Sequence, residues 1–355
     1  MQEGHSILSR IILFAFVFLF NAVPSRAQNA TDSVHKFLRA SFKFSDSELA
    51  AIDSGKVVAK VLPADNPAEV AVCGAAHLTI PASFATEQYG KMESFETGSD
   101  MEEIGRFGSP AKVKDLDGLT LEEDDISALR DCSPGHCDIK LSADAMKRFR
   151  SEISWDAPDY RNKVLALMKV VLVGYVQSYR IGGTDSMREY DDQSYKLDRG
   201  AEFRKFLHES PSLISAEPKL VSYLDRAPQD TGSSRSEYTF WEKEDLPNVK
   251  PVLGLYHAIA YRSKVDANRT FLISKQIYAN HFFEGSLTQM ELIRDNGPRH
   301  GFYALYLRRA TIDNLRHHGF LDFSGKIRDA LFELIHSQMV WMKNRVETLY
   351  KKSAK

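Results

Sequence analysis

Several side chains able to act as acids, bases or hydrogen-bonding groups lie within aromatic, strand-like segments in the last third of the chain. His257 follows Tyr256 in one segment, and Tyr278 and His281 lie close together in the next. Imidazole titrates near neutral pH and a phenol can donate or accept a hydrogen bond, so on a cavity wall these groups could bind a polar ligand or transfer a proton. Each histidine can equally be a core or surface residue satisfied by the backbone. All four are candidate ligand-binding residues.

Two cationic side chains interrupt apolar runs in the same region. Lys275 lies within one such run, and Arg308 and Arg309 end another. In a regular strand neighbouring side chains point to opposite faces, so one arginine is expected to face inward. A buried cation needs an anion, which could be a ligand carboxylate or phosphate, or else Glu284 or Glu291 in a salt bridge. Lys275 and Arg308 therefore join the candidate ligand-binding residues.

The cysteines favour a structural disulfide. Cys132 and Cys137 are separated by Ser-Pro-Gly-His, a sequence that can reverse the backbone. A redox-active pair is the less favoured alternative because the spacing is not Cys-x-x-Cys. A zinc site using His136 and Asp138 is also less favoured, since no second ligand pair has metal-like spacing. Cys73, within a predicted strand, is expected to be buried as a small apolar residue.

Charge and motifs exclude several classes of function. The 46 basic and 48 acidic residues leave a formal net charge of -2, too weak a field to indicate nucleic-acid binding. The chain has no Gly-x-Ser-x-Gly elbow, no phosphate-binding glycine loop, no His-Glu-x-x-His and no Cys-x-x-Cys-His. We therefore predict no catalytic residue, no metal site and no cofactor.

The N-terminus has the pattern of a signal peptide. Residues 11–20 form an apolar run that is too short to cross a hydrocarbon core of about 30 Å, and Ser25 and Ala27 are small at the positions that signal peptidase reads. We predict a signal peptide over residues 1–27 and export to the periplasm or the medium. An uncleaved anchor is the alternative, because Glu3 weakens the basic leader. Residues 164–176 are interrupted by Lys169 and indicate a buried helix, so no transmembrane segment is expected after cleavage.

The first two thirds of the chain alternate between helical and strand-like patterns. Residues 32–54 indicate helix with Ser45 as an N-cap, residues 56–62 and 69–80 a hairpin, and Pro81 the start of a helix. Residues 91–114, rich in Gly, Ser and charge, are expected to be an exposed connection. Helices then follow at about residues 120–130 with Thr120 as cap, 142–153 with Ser142 as cap, 158–180, 201–208 and 218–224.

The last third of the chain predicts an antiparallel sheet followed by one long helix. Strand-like runs begin at Tyr238 and continue at residues 252–262, 270–283, 286–294 and 302–311. From residue 324 to about residue 350, apolar residues recur with a period near 3.6. The helix must bury this stripe, and the nearest surface that can receive it is the sheet.

This order of elements resembles the START-like, or helix-grip, superfamily. Residues 73–84 (CGAAHLTIPASF) resemble the passage from a strand into the following helix in such proteins. Residues 132–141 (CSPGHCDIKL), 274–283 (SKQIYANHFF) and 302–309 (FYALYLRR) resemble a group of secreted bacterial proteins without assigned function. The helix-grip resemblance implies a hydrophobic cavity between sheet and C-terminal helix, used by relatives for lipids, sterols and polyketide-like compounds. The chain departs from it by a helical insertion at about residues 119–227, which could form a lid or fill the space.

We therefore expect an α+β fold in which residues 28–355 form one domain, with an antiparallel sheet gripping the long C-terminal helix. The expected function is binding of a hydrophobic or amphipathic, lipid-like small molecule. A cyclase or aromatase using His257, His281 and Tyr278 as acid or base is the enzymatic alternative. An interaction protein of the cell envelope that docks through residues 157–180 is the third.

Overall fold

The computed structural model describes residues 26–90, 101–210, 213, 217–228, 237–244, 250–297, 299–315 and 324–353. Residues 1–25, which make up most of the predicted signal peptide, lie outside this part of the chain. The fold is α+β, as predicted. The helices are α1 Arg26–Phe42, α2 Asp46–Asp53, α3 Ala82–Tyr89, α4 Glu123–Asp131, α5 Ala143–Glu152, α6 Tyr160–Gly182, α7 Arg199–His208, α8 Pro218–Asp225 and α9 Ser324–Ser353. The strands are β1 Val58–Leu62, β2 Glu69–Leu78, β3 Met101–Arg106, β4 Glu237–Glu244, β5 Val252–Arg262, β6 Arg269–Ala279, β7 Phe283–Arg294 and β8 Phe302–Ile312.

All eight strands belong to one antiparallel sheet with the order β1-β2-β8-β7-β6-β5-β4-β3. The N-terminal hairpin joins the C-terminal strands because β2 pairs with β8 along its whole length, from Glu69 opposite Thr311 to Leu78 opposite Phe302. Gly301 precedes β8 with φ +85°, and a Cβ there would lie 1.9 Å from the carbonyl oxygen of Leu78. Glycine is required at this junction because both the left-handed backbone and the close approach exclude a side chain.

One face of the sheet is covered by the predicted helical insertion. Odd-numbered residues of β5 and β6, among them Leu255, Phe271 and Ile273, are buried in the same apolar cluster as the inner side of α6. This side of α6 contributes Leu172 and Val176. Among the described residues, Tyr160–Ser186 is the one helical segment long and apolar enough to span a membrane, and half of its most apolar stretch is buried within the protein. The described part of the insertion packs on the sheet face opposite α9.

The other face of the sheet receives α9. Its stripe of Leu331, Leu334, Ile335, Met339 and Val346 is buried with residues of β2 and β8, so the predicted apolar period of this helix is confirmed. These side chains repeat every three or four residues and therefore lie on one side of the helix.

The sheet curves around α9. Met339 lies against Gly74 of β2, where an added Cβ would be 2.3 Å from the sulfur. The adjacent Gln338 donates from Nε2 to Oε1 of Glu244 in β4 at 2.9 Å. Strands β2 and β4 are five places apart in the sheet, which in a flat sheet would be roughly 24 Å at about 4.8 Å per neighbour. Two consecutive helix residues can reach both strands only if the sheet is bent towards the helix.

Local predictions were right where a helix cap or a turn fixes the backbone. Ser45 forms a capping box with Glu48, and Ser142 caps α5. Thr120 does not cap α4, whose N-cap residue is Glu122. The Thr120 hydroxyl instead donates to Glu103 at 2.6 Å.

The predicted exposed connection at residues 91–114 was wrong in part, and residues 91–100 of it lie outside the described part of the chain. Met101–Arg106 is the edge strand β3, paired with β4. The pattern was missed because an edge strand rich in charge shows little apolar alternation. Gly105 lies where a Cβ would be 2.7 Å from Nε1 of Trp241, so the Trp241 side chain occupies the place that a side chain at residue 105 would take.

The disulfide between Cys132 and Cys137 is confirmed. The backbone between them turns through a paired bridge, in which Ser133 and His136 exchange hydrogen bonds of 3.0 and 2.8 Å. Gly135 has φ +81° in this turn. Cys73 is the one free cysteine among the described residues, and it is buried.

Candidate functional site

The centre of the sheet is covered unequally on its two faces. Along β6, Phe271, Ile273 and Lys275 are buried beneath the insertion, whereas Leu272 and Ser274, on the α9 side, are only half-buried. Thr288, opposite Ser274 on β7, is half-buried too. The helix therefore leaves part of its sheet face open.

Beside this open region lies a polar cluster contributed by four strands, and we refer to it as the helix-side cluster. It consists of Glu242 and Glu244 of β4, Tyr256 of β5, Gln276 of β6 and Arg308 of β8, all buried. Nη2 of Arg308 is 3.8 Å from Oε2 of Glu244, although three strands separate β8 from β4. The contact is possible because the sheet curves around this face.

Arg308 is poorly satisfied. The residue is 6% exposed, and its Nε is buried without a hydrogen-bond partner among the described residues. The 3.8 Å contact with Glu244 is too long for a hydrogen bond. The guanidinium also lies 5.3 Å from the ring centroid of Phe283. Since burying a cation costs several kcal/mol unless it is paired and hydrogen-bonded, the described residues alone satisfy Arg308 incompletely.

Gln276 is satisfied on one side only. Its Nε2 donates to the hydroxyl of Tyr256 at 3.1 Å, whereas Oε1 is buried without a partner in the described part of the chain. The ring of Tyr256 stacks on Phe240 with centroids 5.1 Å apart. The Tyr256 ring packs over Gly254, two residues earlier on the same strand. This is possible because Gly254 has no side chain, and a Cβ at residue 254 would be 2.3 Å from the ring.

The electrostatics of the helix-side cluster keep one carboxyl group neutral. Burial, and then the neighbouring Glu244, raise the pKa of Glu242 to about 8, against the opposing effects of Arg308 and of a hydrogen bond from Tyr256. Burial also raises the pKa of Tyr256 well above its usual value. At neutral pH, Glu242 is therefore mostly protonated, and the phenol is neutral.

His257 lies on the opposite face of the sheet, under the insertion. The Tyr179 hydroxyl donates to its Nδ1 at 2.8 Å, and its Nε2 donates to Oε1 of Glu237 at 2.9 Å. Burial lowers the pKa of His257. Both ring nitrogens are thus used in contacts within the protein.

Lys275 and Tyr278 are on the same face as His257 but have other neighbours. Nζ of Lys275 donates to Oγ1 of Thr184 at 2.5 Å and lies 3.8 Å from the ring centroid of Phe203. Burial lowers its pKa well below the usual value. Tyr278 stacks on Tyr175 of α6 at 5.1 Å. Through these contacts, both side chains pack the insertion against the sheet.

His281 lies in the turn after β6 and contacts the start of the insertion. Its Nε2 is 3.0 Å from Oδ1 of Asp125, and its Nδ1 is 3.1 Å from the carbonyl oxygen of Asp138. Of the six candidate ligand-binding residues, the structure therefore brings only Tyr256 and Arg308 together. His257, Lys275, Tyr278 and His281 each have separate partners elsewhere.

Arg308 and Arg309 point to opposite faces, as the alternation predicts. Arg309 pairs with Glu69 and Glu209. The predicted salt bridges to Glu284 or Glu291 were wrong, because Oε1 of Glu291 is held by Arg269 and Oε1 of Glu284 accepts a hydrogen bond from Tyr195.

The candidate ligand-binding residues predicted from the sequence did not include Glu242, Glu244 or Gln276, although Gln276, like Lys275, interrupts an otherwise apolar strand. A signal was present, since residues 240–244 read Phe-Trp-Glu-Lys-Glu and alternation places both glutamates on the face of Phe240. Their meeting with Arg308 had no local signal, since it depends on the curvature of the sheet.

Comparison of this chain with protein families, curated proteins and solved structures finds no match. Within the described ranges, no group of three or more His, Cys, Asp or Glu side chains is arranged to hold a metal ion.

Proposed function

We propose that the protein binds a hydrophobic or amphipathic, lipid-like small molecule between α9 and the curved sheet, in the manner of helix-grip proteins. The observation that carries the proposal is the buried, hydrogen-bond-deficient guanidinium of Arg308 on the α9 face. A polar ligand group in this cluster would complete the hydrogen bonding of Arg308, either by accepting from it or by bringing a neighbouring carboxyl group into its ionised, accepting form. Three members of the helix-side cluster are not completely buried, with exposed fractions of 8% for Glu242 and 6% for Tyr256 and Arg308.

The apolar surroundings suit the hydrocarbon part of such a ligand. Phe240, Tyr256 and Ala258 form an apolar cluster on the α9 face that is separate from the cluster containing the α9 stripe. Leu272 lies half-buried on the same face. A bound alkyl chain would connect the two apolar clusters and cover this part of the sheet, at a gain of about 25 cal/mol per Å² of apolar surface removed from water.

We further propose that the protein acts outside the cytoplasm. The predicted signal peptide motivates this proposal, and the Cys132–Cys137 disulfide suits an oxidising compartment.

The binding proposal is tested by native extraction. The protein is purified from its own host, extracted with organic solvent and analysed by mass spectrometry beside a control protein of the same compartment. An enriched amphipathic compound at near-stoichiometric yield is expected. Extracts that do not differ from the control contradict the proposal.

A variant makes the test specific to this site. Ser274→Phe places a ring on the open part of the α9 face and is expected to abolish the co-purified compound. Val61→Phe, at an exposed position of β1, is the matched control and should retain it. Equal retention in both variants would place the ligand elsewhere.

No observation on the described residues supports either alternative function. The enzymatic one needs His257, His281 and Tyr278 to converge, and each has its own partners within the described residues. The docking one needs an apolar patch on α6, where the large exposed apolar residues are Val170 and Ile181, eleven positions apart.

A further inference from the structure

The helix-side cluster contains more carboxyl groups than cations. Among the described groups around Glu242, the charged or titratable ones are Glu244 on its own strand, Tyr256 of β5, and Tyr306 and Arg308 of β8. Glu244 lies beside Arg308 and accepts a hydrogen bond from Gln338 of α9. Glu242 is thus left as a second carboxyl group without a cation of its own.

The unpaired acceptor lies on the next strand but one from this carboxyl group, with Tyr256 on the strand between them. Gln276 is 1% exposed, and its Oε1 has no partner among the described residues. Its amide nitrogen donates to the hydroxyl of Tyr256, and hydrogen bonding by Tyr256 lowers the pKa of Glu242 against the effect of burial. The stacked rings of Phe240 and Tyr256 lie alongside. Two oxygen acceptors next to aromatic rings are the surroundings that an ammonium group prefers.

We propose that the ligand of the helix-side cluster is an amphipathic primary amine, whose ammonium group donates hydrogen bonds to Glu242 and to Oε1 of Gln276. This inference rests on the proposed function and names its ligand class. Charge balance favours an amine over a fatty acid. With Glu242 ionised, two carboxylates would face one guanidinium and one ammonium, whereas a ligand carboxylate would add an anion to a buried site that already holds two carboxyl groups.

Binding of the amine has a consequence for protons. The protonated amine carries its charge into the site, and the carboxyl group of Glu242 loses its proton to the solvent through the buffer. No covalent bond changes. An alcohol of the same chain length would bind without this release.

The experiment uses the full mature protein, freed of co-purified compounds, and three probes of equal chain length: n-decylamine, 1-decanol and decanoate. Titration calorimetry at pH 7 in phosphate and in Tris separates proton release from the heat of binding. We expect decylamine to bind about tenfold or more tightly than either other probe, as one charge-assisted hydrogen bond implies. We also expect release of close to one proton per decylamine bound.

Glu242→Gln is the diagnostic variant, because glutamine resembles the protonated carboxyl group in shape and should leave the fold intact. It is expected to lose the preference for decylamine and the proton release, while its affinity for decanol stays within a factor of about two. Glu333→Gln, at an exposed position on α9, removes the same charge at the surface and should behave as the unmodified protein.

The outcomes separate the two proposals. If decanol binds and decylamine binds no more tightly, or if Glu242→Gln keeps the preference, the amine assignment is overturned and the proposed function stands. If none of the three probes binds, both are overturned.

Discussion

Replacing the buried Lys275 by methionine should stabilise the protein at neutral pH. Lys275 is fully buried, and its Nζ donates to Thr184 and, at 3.4 Å, to the carbonyl oxygen of Leu224. No carboxylate of the described residues lies within salt-bridge distance of it. Methionine has a similar length, fills the same space and carries no charge, so the change isolates the effect of the ammonium group.

The expected gain is about 1–3 kcal/mol at pH 7. Burial of an unpaired charge, or its neutralisation on folding, costs several kcal/mol. Against this, the variant loses two hydrogen bonds, each with a net contribution of about 1 kcal/mol. It also loses the contacts of the ammonium with the rings of Tyr179 and Phe203, at 4.8 and 3.8 Å.

The pH dependence follows from the lowered pKa of Lys275. In the unfolded chain, Lys275 is protonated below pH 10.5. In the folded protein, it is protonated only below its lowered pKa. Burial of Lys275 therefore destabilises the unmodified protein below pH 10.5. As pH rises through the window from the folded pKa to 10.5, that destabilisation disappears by about 1.4 kcal/mol per unit. The advantage of Lys275→Met should therefore shrink with rising pH and vanish above the window.

Urea denaturation, followed by tryptophan fluorescence at pH 7, 8 and 9, measures both quantities. The difference in free energy of unfolding between the variant and the unmodified protein is compared at each pH, because the titration of all other groups cancels in this difference. Lys205→Met, at a Lys whose side chain is 55% exposed, is the control and should change the free energy of unfolding by less than about 0.5 kcal/mol at each pH. A Lys275→Met protein less stable by 1 kcal/mol or more, on the order of one hydrogen bond, would show that the surrounding rings and dipoles stabilise the charge. A gain that does not depend on pH would refute the titration argument.

Three further predictions concern the disulfide, the helix-side cluster and the insertion. Replacing Cys132 and Cys137 together by serine should lower the free energy of unfolding by about 2 kcal/mol, since the closed loop is short, and reduction of the unmodified protein before urea denaturation should give the same loss. Gly254→Ala should cost about 1–3 kcal/mol because its Cβ overlaps the ring of Tyr256, and it should weaken decanol binding; unchanged values in both assays would contradict the assigned packing. Burial lowers the pKa of His257, so below pH 6.5 the imidazole is protonated in the unfolded chain more readily than in the folded protein. The free energy of unfolding should therefore fall as pH drops from 7.5 to 5.5. The His257→Gln variant should show a smaller fall in urea titrations, by up to about 1.4 kcal/mol per unit below 6.5, and equal falls would remove His257 as the cause.

Local chemistry made much of the secondary structure predictable. The α9 stripe, the N-cap at Ser45 and the turn between Cys132 and Cys137 are each fixed by residues a few positions apart. The edge strand β3 escaped prediction because its pairing partner, β4, lies more than a hundred residues away in sequence and its own residues carry little apolar alternation.

The candidate site was predictable only in part. Tyr256 and Arg308 were recognised as polar groups within aromatic strands, and both belong to the helix-side cluster. Lys275 and His257 have the same kind of sequence context, yet they face the insertion. Alternation assigns neighbouring residues to opposite faces, but it does not say which face meets α9 and which meets α6.

The sequence by itself determined most of the elements, the disulfide and the opposite orientation of Arg308 and Arg309, because propensity, capping and alternation act over a few residues. Only the tertiary structure decided that the N-terminal hairpin enters the C-terminal sheet, that the insertion packs on the face away from α9, and that Arg308 meets Glu244 across three intervening strands. These outcomes depend on the curvature of the sheet and on burial, which are properties of the packed chain as a whole.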